Sequence, residues 1–267
     1  MKYIKFITIA LLPILFLSNT NVSNSDFIKD TNKELVPLVK DSLYISKYEV
    51  TNGQYKVFLE NLKQKGELAQ YIACKYDSTV WATQFKFSYN EPMTKKYHTH
   101  DAFLNYPINN ISFVATQKYC SWLSNKYNSF PKRKFKKVVF RLPSEAEWLM
   151  AANSNNNSTY PWNGKEYKNK AGQYYANLKY HSEQNGNAYN YPIDGGMYTT
   201  MRGKYPKTEN GIYDLIGNVS EMIQKEGFAK GGSWNDLPED SELLDYQQYS
   251  GPDATVGFRW IMEVIEK

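Results

Sequence analysis

Alternating and helical spacings of apolar residues predict the first elements of a folded domain. Residues 43–50 alternate and are rich in β-branched and aromatic side chains, which indicates a strand. Thr51 follows as a helix N-cap, and Gln54 three residues later completes a capping box. The apolar face of the predicted helix consists of Tyr55, Phe58, Leu59 and Leu62.

The same signals predict two more helices and a strand between them. Ser112 caps the first of these helices, and residues 138–142 form the strand. The inward face of that helix is predicted to carry Val114, Ala115, Tyr119, Trp122 and Leu123. Ser144 and Glu147 form a second capping box. Glu145 and Glu147 point about 200° apart on a helix, so they do not form a catalytic carboxylate pair.

The N-terminus has the pattern of an export signal. Lys2 and Lys5 precede an apolar run at residues 6–17 that is shorter than an ordinary membrane span. We therefore predict a signal peptide over residues 1–23 and an exported protein, periplasmic or extracellular. No clear cleavage site follows, so an anchor formed by an uncleaved segment stays open. The first cysteine is Cys74, which excludes lipid attachment directly after the apolar run.

The remaining pattern predicts one domain. Residues 24–42 are interpreted as a flexible lead-in and residues 43–267 as the domain, because no long Pro/Gly/Ser linker divides them. Residues 69–100 resemble an insertion, and their periodicity assigns no element. Residues 153–190 are rich in Asn, Ser, Tyr and Gly, which indicates loops.

Composition excludes some classes and leaves others open. The net charge of +5 is modest, and no Lys/Arg tract is dense enough to indicate nucleic-acid binding. The short basic run at 132–137 is either a solvated edge or a contact for an anionic partner. Export permits a disulfide between Cys74 and Cys120, but the sequence does not establish that they are close.

Five motifs follow one another in the second half of the chain. They are Phe-Arg-Leu-Pro-Ser-Glu-Ala-Glu-Trp at 140–148, Tyr-Pro-Trp-Asn at 160–163, Asn-Gly-Ile-Tyr-Asp-Leu-Ile-Gly-Asn-Val-Ser-Glu at 210–221, Lys-Gly-Gly-Ser-Trp-Asn at 230–235 and Val-Gly-Phe-Arg at 256–259. Their order and spacing resemble the formylglycine-generating enzyme family, also called the sulfatase-modifying-factor domain family. The resemblance covers about residues 43–264. It implies an α+β fold with extensive irregular loops, similar to the C-type lectin fold.

The resemblance also implies a chemistry that this chain lacks the residues to perform. Active members of that family hold copper(I) with two thiolates that lie between Gly-Gly-Ser and Gly-Phe-Arg, and they convert a substrate cysteine to formylglycine. Here residues 231–259 contain no cysteine. Ser220 and Met222 replace two tryptophans of the family pattern, and Trp260 replaces the cysteine that often follows Gly-Phe-Arg. Copper is therefore not expected, and no catalytic residue is assigned.

Calcium is the cofactor that the motifs predict. Asp214 and Glu221 supply carboxylates, and an extended stretch between them would direct two carbonyls to one side, as a hard cation requires. By resemblance this first calcium set consists of Asp214, Gly217, Val219 and Glu221. The resemblance implies a second calcium set of Asn177, Leu178, Asp194 and Gly196. The alternative interpretation is that Asp214 and Glu221 bind loop amides without a metal.

The remaining candidates have structural interpretations. His98 and His100 could bind a metal if they lay on a strand, but a solvated loop is the preferred interpretation. Arg141 and Arg259 are expected to make buried charge-assisted hydrogen bonds. Trp162 and Trp234 are expected to fill core volume.

Two functions follow from these observations. The first is an exported, non-catalytic, calcium-stabilised module that binds a protein or glycan of the cell envelope or helps to assemble it. The Lys-Gly-Gly-Ser-Trp-Asn-Asp ending resembles modules of gliding-motility and type IX secretion lipoproteins of Bacteroidota. The alternative is a formylglycine-generating oxidase, or another enzyme, that acts on a sulfatase-like protein.

Overall fold

The structure is a computed structural model that describes residues 24–86, 91–152, 158–162, 164–182, 186 and 188–267. The predicted signal peptide, residues 1–23, lies outside the described residues. Among the described residues, no helix combines the length and the apolar character that crossing a membrane requires.

Seven α-helices and eight strands are assigned within the described part of the chain. The helices are Asn24–Lys33 (α1), Asn52–Gln64 (α2), Leu68–Cys74 (α3), Val80–Gln84 (α4), Glu91–Lys96 (α5), Phe113–Asn128 (α6) and Glu145–Ala151 (α7). The strands are Leu35–Val39 (β1), Leu43–Ser46 (β2), Lys137–Arg141 (β3), Ser220–Met222 (β4), Phe228–Lys230 (β5), Gln247–Gln248 (β6), Val256–Gly257 (β7) and Ile261–Glu266 (β8). Short 3₁₀ turns occupy Asp101–Phe103, Tyr191–Asp194 and Pro238–Asp240.

The strands form two small sheets. The first has the order β1-β2-β8-β3 and is antiparallel, with Ile45 opposite Ile261 and Phe140 opposite Met262. The second has the order β6-β5-β4-β7, in which β4 and β7 run parallel. The C-terminal strand β8 thus pairs with β2 and β3, so the two ends of the domain meet in one sheet. The mixed α and β architecture is the one predicted.

The predicted helix starts are confirmed. Both capping boxes are complete: Thr51 with Gln54 at α2, and Ser144 with Glu147 at α7. The Ser112 side chain accepts from the backbone N–H of Ala115 at the start of α6. Each box satisfies two backbone donors that the helix itself leaves unpaired.

Three expectations for the first half of the chain differ from the structure. Residues 24–42 are not a flexible lead-in, because they form α1 and β1. Phe27 anchors α1 by packing edge-on against Trp122, with ring centroids 5.2 Å apart. The predicted strand over 43–50 ends at Ser46. Val114 is 53% exposed rather than inward-facing.

The core consists of three hydrophobic clusters. The first lies between α2, α6 and the first sheet and contains Cys74 and Cys120. The second surrounds Trp148 of α7. The third joins Trp81 and Tyr97, from the stretch that the sequence pattern left unassigned, to Trp234. Residues 69–100 are therefore integrated into the domain through α3, α4 and α5.

Candidate functional site

A buried ion pair lies at the centre of the predicted motifs. The guanidinium of Arg259 binds both carboxylate oxygens of Glu221, at 2.6 Å from Nε and 2.5 Å from Nη2. The indole Nε1 of Trp148 donates to the same carboxylate at 2.7 Å. Arg259 and Glu221 are both completely buried. The arginine also donates to backbone carbonyls, including that of Ser46 at 3.0 Å.

Two more buried carboxylates surround this pair. Glu49 accepts from Asn218 Nδ2 at 2.7 Å and from the backbone N–H of Val219 at 3.2 Å. Burial raises the pKa of Glu49 well above its usual range, and the charges of Asp214 and Glu221 raise it further. Burial likewise raises the pKa of Asp214 to about 6, although Gly203 donates to it at 2.6 Å. The region therefore carries more acidic groups than the single arginine neutralises.

The backbone of the first calcium set is not extended. Asp214, Gly217 and Asn218 have φ angles of 54°, 80° and 64°, which lie in the left-handed region. The expectation that an extended stretch aligns the carbonyls of Gly217 and Val219 is therefore wrong. With these turns, both ends of the stretch contact Arg259, which donates to the carbonyl of Asp214 at 3.3 Å and to the carboxylate of Glu221 at 2.6 Å.

The carboxylates of the first set differ in what they can offer a cation. Asp214 Oδ1 is buried and has no hydrogen-bond partner among the described residues, so it can accept a ligand. Glu221 already accepts three strong hydrogen bonds, which leaves one of about four acceptor positions on its carboxylate. The first set therefore fits a calcium ion at Asp214 but not at Glu221, where the arginine supplies the positive charge.

The second calcium set is brought together in space. Asp194 accepts from the backbone N–H of Leu178 at 2.9 Å and from that of Gly196 at 2.8 Å. Asn177 Oδ1 is buried and without a hydrogen-bond partner among the described residues. It lies 2.8 Å from the position that a Cβ on Gly196 would occupy. A carboxylate, an amide oxygen and neighbouring carbonyls are the hard donors that calcium prefers, so these residues fit the ion.

Charge around the second set is mixed. Burial raises the pKa of Asp194 to about 6, although two backbone N–H groups and Lys204 oppose that shift. Lys204 Nζ donates to the carbonyl of Gly195. In the part of the chain that the structure describes, no three His, Cys, Asp or Glu side chains cluster as metal ligands. A cation here would therefore need amide and carbonyl oxygens in addition to the carboxylate of Asp194.

The two sets touch through Gly217. A Cβ on this glycine would lie 2.3 Å from the carbonyl oxygen of Asn177, so a side chain cannot be accommodated. The N–H of Asn218 donates to that same carbonyl at 2.9 Å. The left-handed turn at Gly217 therefore brings the first calcium set into direct contact with the second.

A closed turn occupies the position that directly follows Gly-Gly-Ser-Trp. The carboxylate of Asp236 accepts from Ser233 Oγ at 2.6 Å and from the Ser233 N–H at 2.8 Å. The 3₁₀ turn Pro238–Asp240 follows, and a Cβ on Gly232 would lie 2.0 Å from Ser241 Oγ. The polar groups of this turn thus bind each other.

The two cysteines lie elsewhere. Cys74 and Cys120 are free and buried in the first core cluster, whereas Trp234 belongs to the third. Burial raises the pKa of Cys120 to about 12 and also raises that of Cys74. Both remain thiols at neutral pH, so neither is a ready ligand for copper(I). The disulfide left open by the sequence is not formed in the structure.

The histidine pair is separated. His98 is 6% exposed and stacks on Tyr76 with ring centroids 4.0 Å apart, whereas His100 is exposed and accepts from the N–H of Ala102. The preferred interpretation of a solvated loop is confirmed for His100 and wrong for His98. Neither residue lies on a strand.

Two of the four remaining predictions differ from the structure. Arg259 is the buried arginine described above, whereas the side chain of Arg141, which pairs with Glu147 at 2.8 Å, is 26% exposed. Trp234 is buried, but Trp162 is partly exposed and stacks between Tyr160 and Tyr175.

Sequence reasoning missed Glu49 and Lys230. Glu49 is a fully buried carboxylate, and its signal was an acidic residue inside the apolar stretch around Val50. The side chain of Lys230 is completely buried and pairs with Glu145 at 3.3 Å. A charge next to two glycines gave no indication of that burial.

Two small sheets, long connecting loops and a buried Glu–Arg pair define the class of protein as a mixed α/β scaffold domain. The model of the family described as "Sulfatase-modifying factor enzyme 1-like domain" matches residues 15–264. The chain therefore belongs to this family, the one that its motifs resemble.

Two curated relatives are similar over much of the chain. The mouse protein named formylglycine-generating enzyme is 23% identical over 202 residues, which cover 68% of this chain and 48% of the mouse protein. The bovine protein named inactive C-alpha-formylglycine-generating enzyme 2 is 23% identical over 228 residues, 81% of this chain and 66% of the bovine protein. The match thus spans about half of the mouse protein.

Two solved structures share the fold. PvdO from Pseudomonas aeruginosa superposes with a TM-score of 0.54 at 20% identity, over 83% of this chain and 80% of PvdO. Treponema denticola variable protein 1 superposes with a TM-score of 0.52 at 18% identity, over 83% of this chain and 84% of that protein. At these identities the likeness establishes the fold alone.

Proposed function

We propose that this protein is a non-catalytic member of its family, an exported module that binds a protein or glycan of the cell envelope through its loops. The observation that carries the proposal is the turn after Gly-Gly-Ser-Trp, where Asp236 binds Ser233 instead of presenting a thiolate. The thiols of Cys74 and Cys120 are buried in a separate cluster. The C-type-lectin-like arrangement of loops on a small scaffold is part of this proposal.

The alternative function is a formylglycine-generating oxidase. The name of the mouse relative favours it, whereas the bovine relative is named inactive. The residues of this chain favour the inactive condition, because a copper(I) site needs two soft ligands in reach of each other. Asp236, a hard ligand whose carboxylate already accepts from Ser233, follows the motif in this chain and supports that interpretation.

Titration with copper(I) tests whether this chain lacks the copper(I) site of the family. The purified chain is titrated with copper(I) in competition with a chelator, alongside a variant carrying Cys74→Ser and Cys120→Ser. We expect the two proteins to compete equally poorly. Copper(I) binding by the native chain that disappears in the double variant would mean that the cysteines act as a surrogate pair, and would contradict the proposal.

Calcium is proposed as a structural ion of the module. The second set supports it through the unpartnered Asn177 Oδ1 and the carboxylate of Asp194. At the first set, Asp214 Oδ1 is a further ligand position. Burial raises the pKa values of Asp194 and Asp214 because it disfavours their charged forms, and a bound cation would offset that cost.

Calorimetric titration with calcium checks this proposal. We expect the native chain to release or absorb heat as it binds calcium. Asp194→Ala should remove the binding event at the second calcium set, and Asp214→Ala should remove the binding event at the first. Asp30→Ala removes an exposed carboxylate from α1 and should leave binding unchanged. Absence of binding at millimolar calcium would contradict the proposal that calcium is a structural ion of this protein.

A further inference from the structure

A groove of about 620 Å³ lies on the surface where helices α2, α3 and α6 meet. The buried side chains of Phe58, Leu62 and Trp122 form its floor. Trp122 Nε1 donates to Asn61 Oδ1 at 3.0 Å, which holds α6 against α2. The volume lies within the range of about 300–1,000 Å³ that is typical of ligand pockets. Both calcium sets and the turn at Asp236 lie outside this groove.

The walls of the groove carry net positive charge. Lys65, Lys118 and Lys126 line it, and Glu67 is the one acidic residue among the described residues of its lining. Neither Lys65 nor Lys118 takes part in the ion pairs formed within the described part of the chain. Burial lowers the pKa of Lys126, and the charge of Lys65 lowers it further. These two ammonium groups therefore lie close enough to repel each other.

The ends of two helices explain part of this charge. Lys65 is the C-cap of α2, and Lys126 lies in the last turn of α6, where a positive charge is favourable. Lys118 has no such role, because it lies inside α6, about 12 Å from Lys126 along the helix axis. The groove thus has positive charge at two places, with Lys118 at one and the pair of Lys65 and Lys126 at the other.

The groove offers side-chain amides rather than open aromatic rings. The exposed side chains of Gln70 and Asn125 line it, and each amide can both donate to and accept from a peptide group. Phe58 and Trp122 are only 1% and 7% exposed, so neither ring presents a face on which a sugar could stack. The polar groups of the groove therefore suit a peptide better than a glycan.

We propose that this groove binds an acidic peptide segment of another protein, with one carboxylate at Lys118 and a second at Lys65 and Lys126. Side chains four residues apart in an extended peptide point to the same side and lie about 13 Å apart, which matches the separation of the two positive places. The amides of Gln70 and Asn125 bind the main chain between the two carboxylates. Charge complementarity of this kind selects the partner and speeds its association.

A phosphorylated or sulfated ligand fits less well. Such groups are bound best by the planar fork of an arginine or by the N–H groups of a helix N-terminus. No arginine is among the described residues that line the groove, and the helix ends there, at Lys65 and Ser129, are C-terminal. Their partial negative charge opposes a doubly charged group more than it opposes a carboxylate.

Fluorescence anisotropy on the full chain tests the proposal. The probe is the rhodamine-labelled peptide Gly-Ser-Glu-Ser-Ala-Ser-Glu-Ser-Gly, whose two carboxylates lie four residues apart. The control peptide carries Gln in place of both Glu residues. We expect the acidic peptide to bind and the control peptide not to bind. Binding should weaken as the salt concentration rises from about 0.05 M to about 0.5 M, because salt screens exposed charges.

Two double variants separate the groove from the rest of the surface. Lys65→Gln combined with Lys118→Gln should weaken binding of the acidic peptide about fivefold, since each exposed ion pair contributes modestly. Lys40→Gln combined with Lys170→Gln removes the same charge from exposed positions outside the groove and should bind like the native chain.

Nuclear magnetic resonance locates the peptide in the native chain without any substitution. We expect the acidic peptide to shift the side-chain amide signals of Gln70 and Asn125. The signals of Asn169, an exposed turn on another part of the chain, should stay unchanged.

Three results would overturn the proposal. They are no preference for the acidic peptide over the control peptide, equal weakening of binding by the two double variants, and tighter binding of a heparin oligosaccharide than of the acidic peptide. The last result would identify the groove as a site for sulfated glycans. Helices rather than loops build this groove, so the inference can fail while the proposed function stands.

Discussion

At the scale of single residues, the Arg259–Glu221 pair determines how the motifs fit together. It joins the Gly-Phe-Arg motif to the motif that ends at Glu221, and Trp148 adds the helix α7 to the same contact. Neither charge reaches solvent. A buried ion pair of this kind does not by itself make a fold stable, but removing one partner leaves the other charge uncompensated.

Glu221→Gln should therefore destabilise the domain by about 3 kcal/mol, the lower end of the range for a broken buried pair. We expect the lower end of the range because Glu49 and Asp214 also stabilise the positive charge of Arg259 and would partly compensate it once Glu221 is neutral. The measurement is the free energy of unfolding in urea. Glu266→Gln is the matched control, since Glu266 forms an exposed pair with Lys136, and it should change stability by less than about 1 kcal/mol. Equal effects of the two variants would contradict this role of the pair.

His98 gives a pH dependence with a defined sign. Burial lowers its pKa from 6.5 to about 4 in the folded chain, so the unfolded chain takes up the proton first as the pH falls. The stability that neutral His98 contributes is complete above pH 6.5 and is lost between about 6.5 and 4. Integrated over that window, the loss is roughly 3 kcal/mol.

The measurement is the difference in unfolding free energy between the native chain and His98→Phe, taken across pH 7 to 4. Subtraction removes the titration of the other groups. As the pH falls, the native chain should lose stability relative to His98→Phe. A pH-independent difference would mean that His98 keeps an ordinary pKa in the folded state.

At the scale of elements, glycines in left-handed turns bring the loops together. Gly217 combines a φ of 80° with the contact to Asn177, whereas Gly211 has a φ of 83° and open space around its Cα. The two positions separate the cost of the backbone conformation from the cost of a steric clash.

Gly217→Ala should cost about 3 kcal/mol or more, because the methyl group adds a clash to the strained φ angle. Gly211→Ala should cost about 1–2 kcal/mol, the conformational cost alone. Thermal and urea unfolding of the two variants provide the comparison. Similar losses in both would show that the loop at 217 can move away from Asn177.

The starts of helices were the features most predictable from the sequence, and the packing of the loops was the least predictable feature. A capping box is a local pattern, so Ser144 and Glu147 could be assigned from four consecutive residues. The α1 helix was missed because its buried residues, Phe27 and Ile28, are adjacent in an otherwise polar segment. The course of residues 214–221 was missed because contacts with residues distant in sequence fix it.

At the scale of the whole molecule, family membership was predictable because the motifs encode the scaffold. Gly217, Gly231, Gly232 and Gly257 pack too closely for a side chain, and Arg259, Trp148 and Trp234 are buried. The site was predictable in part. The sequence grouped Leu178 with Asp194, and the two are in contact, while calcium binding by their set stays a prediction. The sequence could not show that Glu221 is bound by Arg259 or that Glu49 lies beside them. Long-range electrostatic pairs leave no local pattern.

The turnover assay tests the central claim, that this chain retains the scaffold of its family without the oxidase chemistry. The purified chain is incubated with copper, oxygen and a peptide that contains Cys-x-Pro-x-Arg, and mass spectrometry follows the conversion of thiol to aldehyde. The mouse formylglycine-generating enzyme serves as the positive control. We expect the peptide mass to stay unchanged with this chain, while the mouse enzyme converts the peptide. Aldehyde formed by this chain above the copper-only background would contradict this expectation.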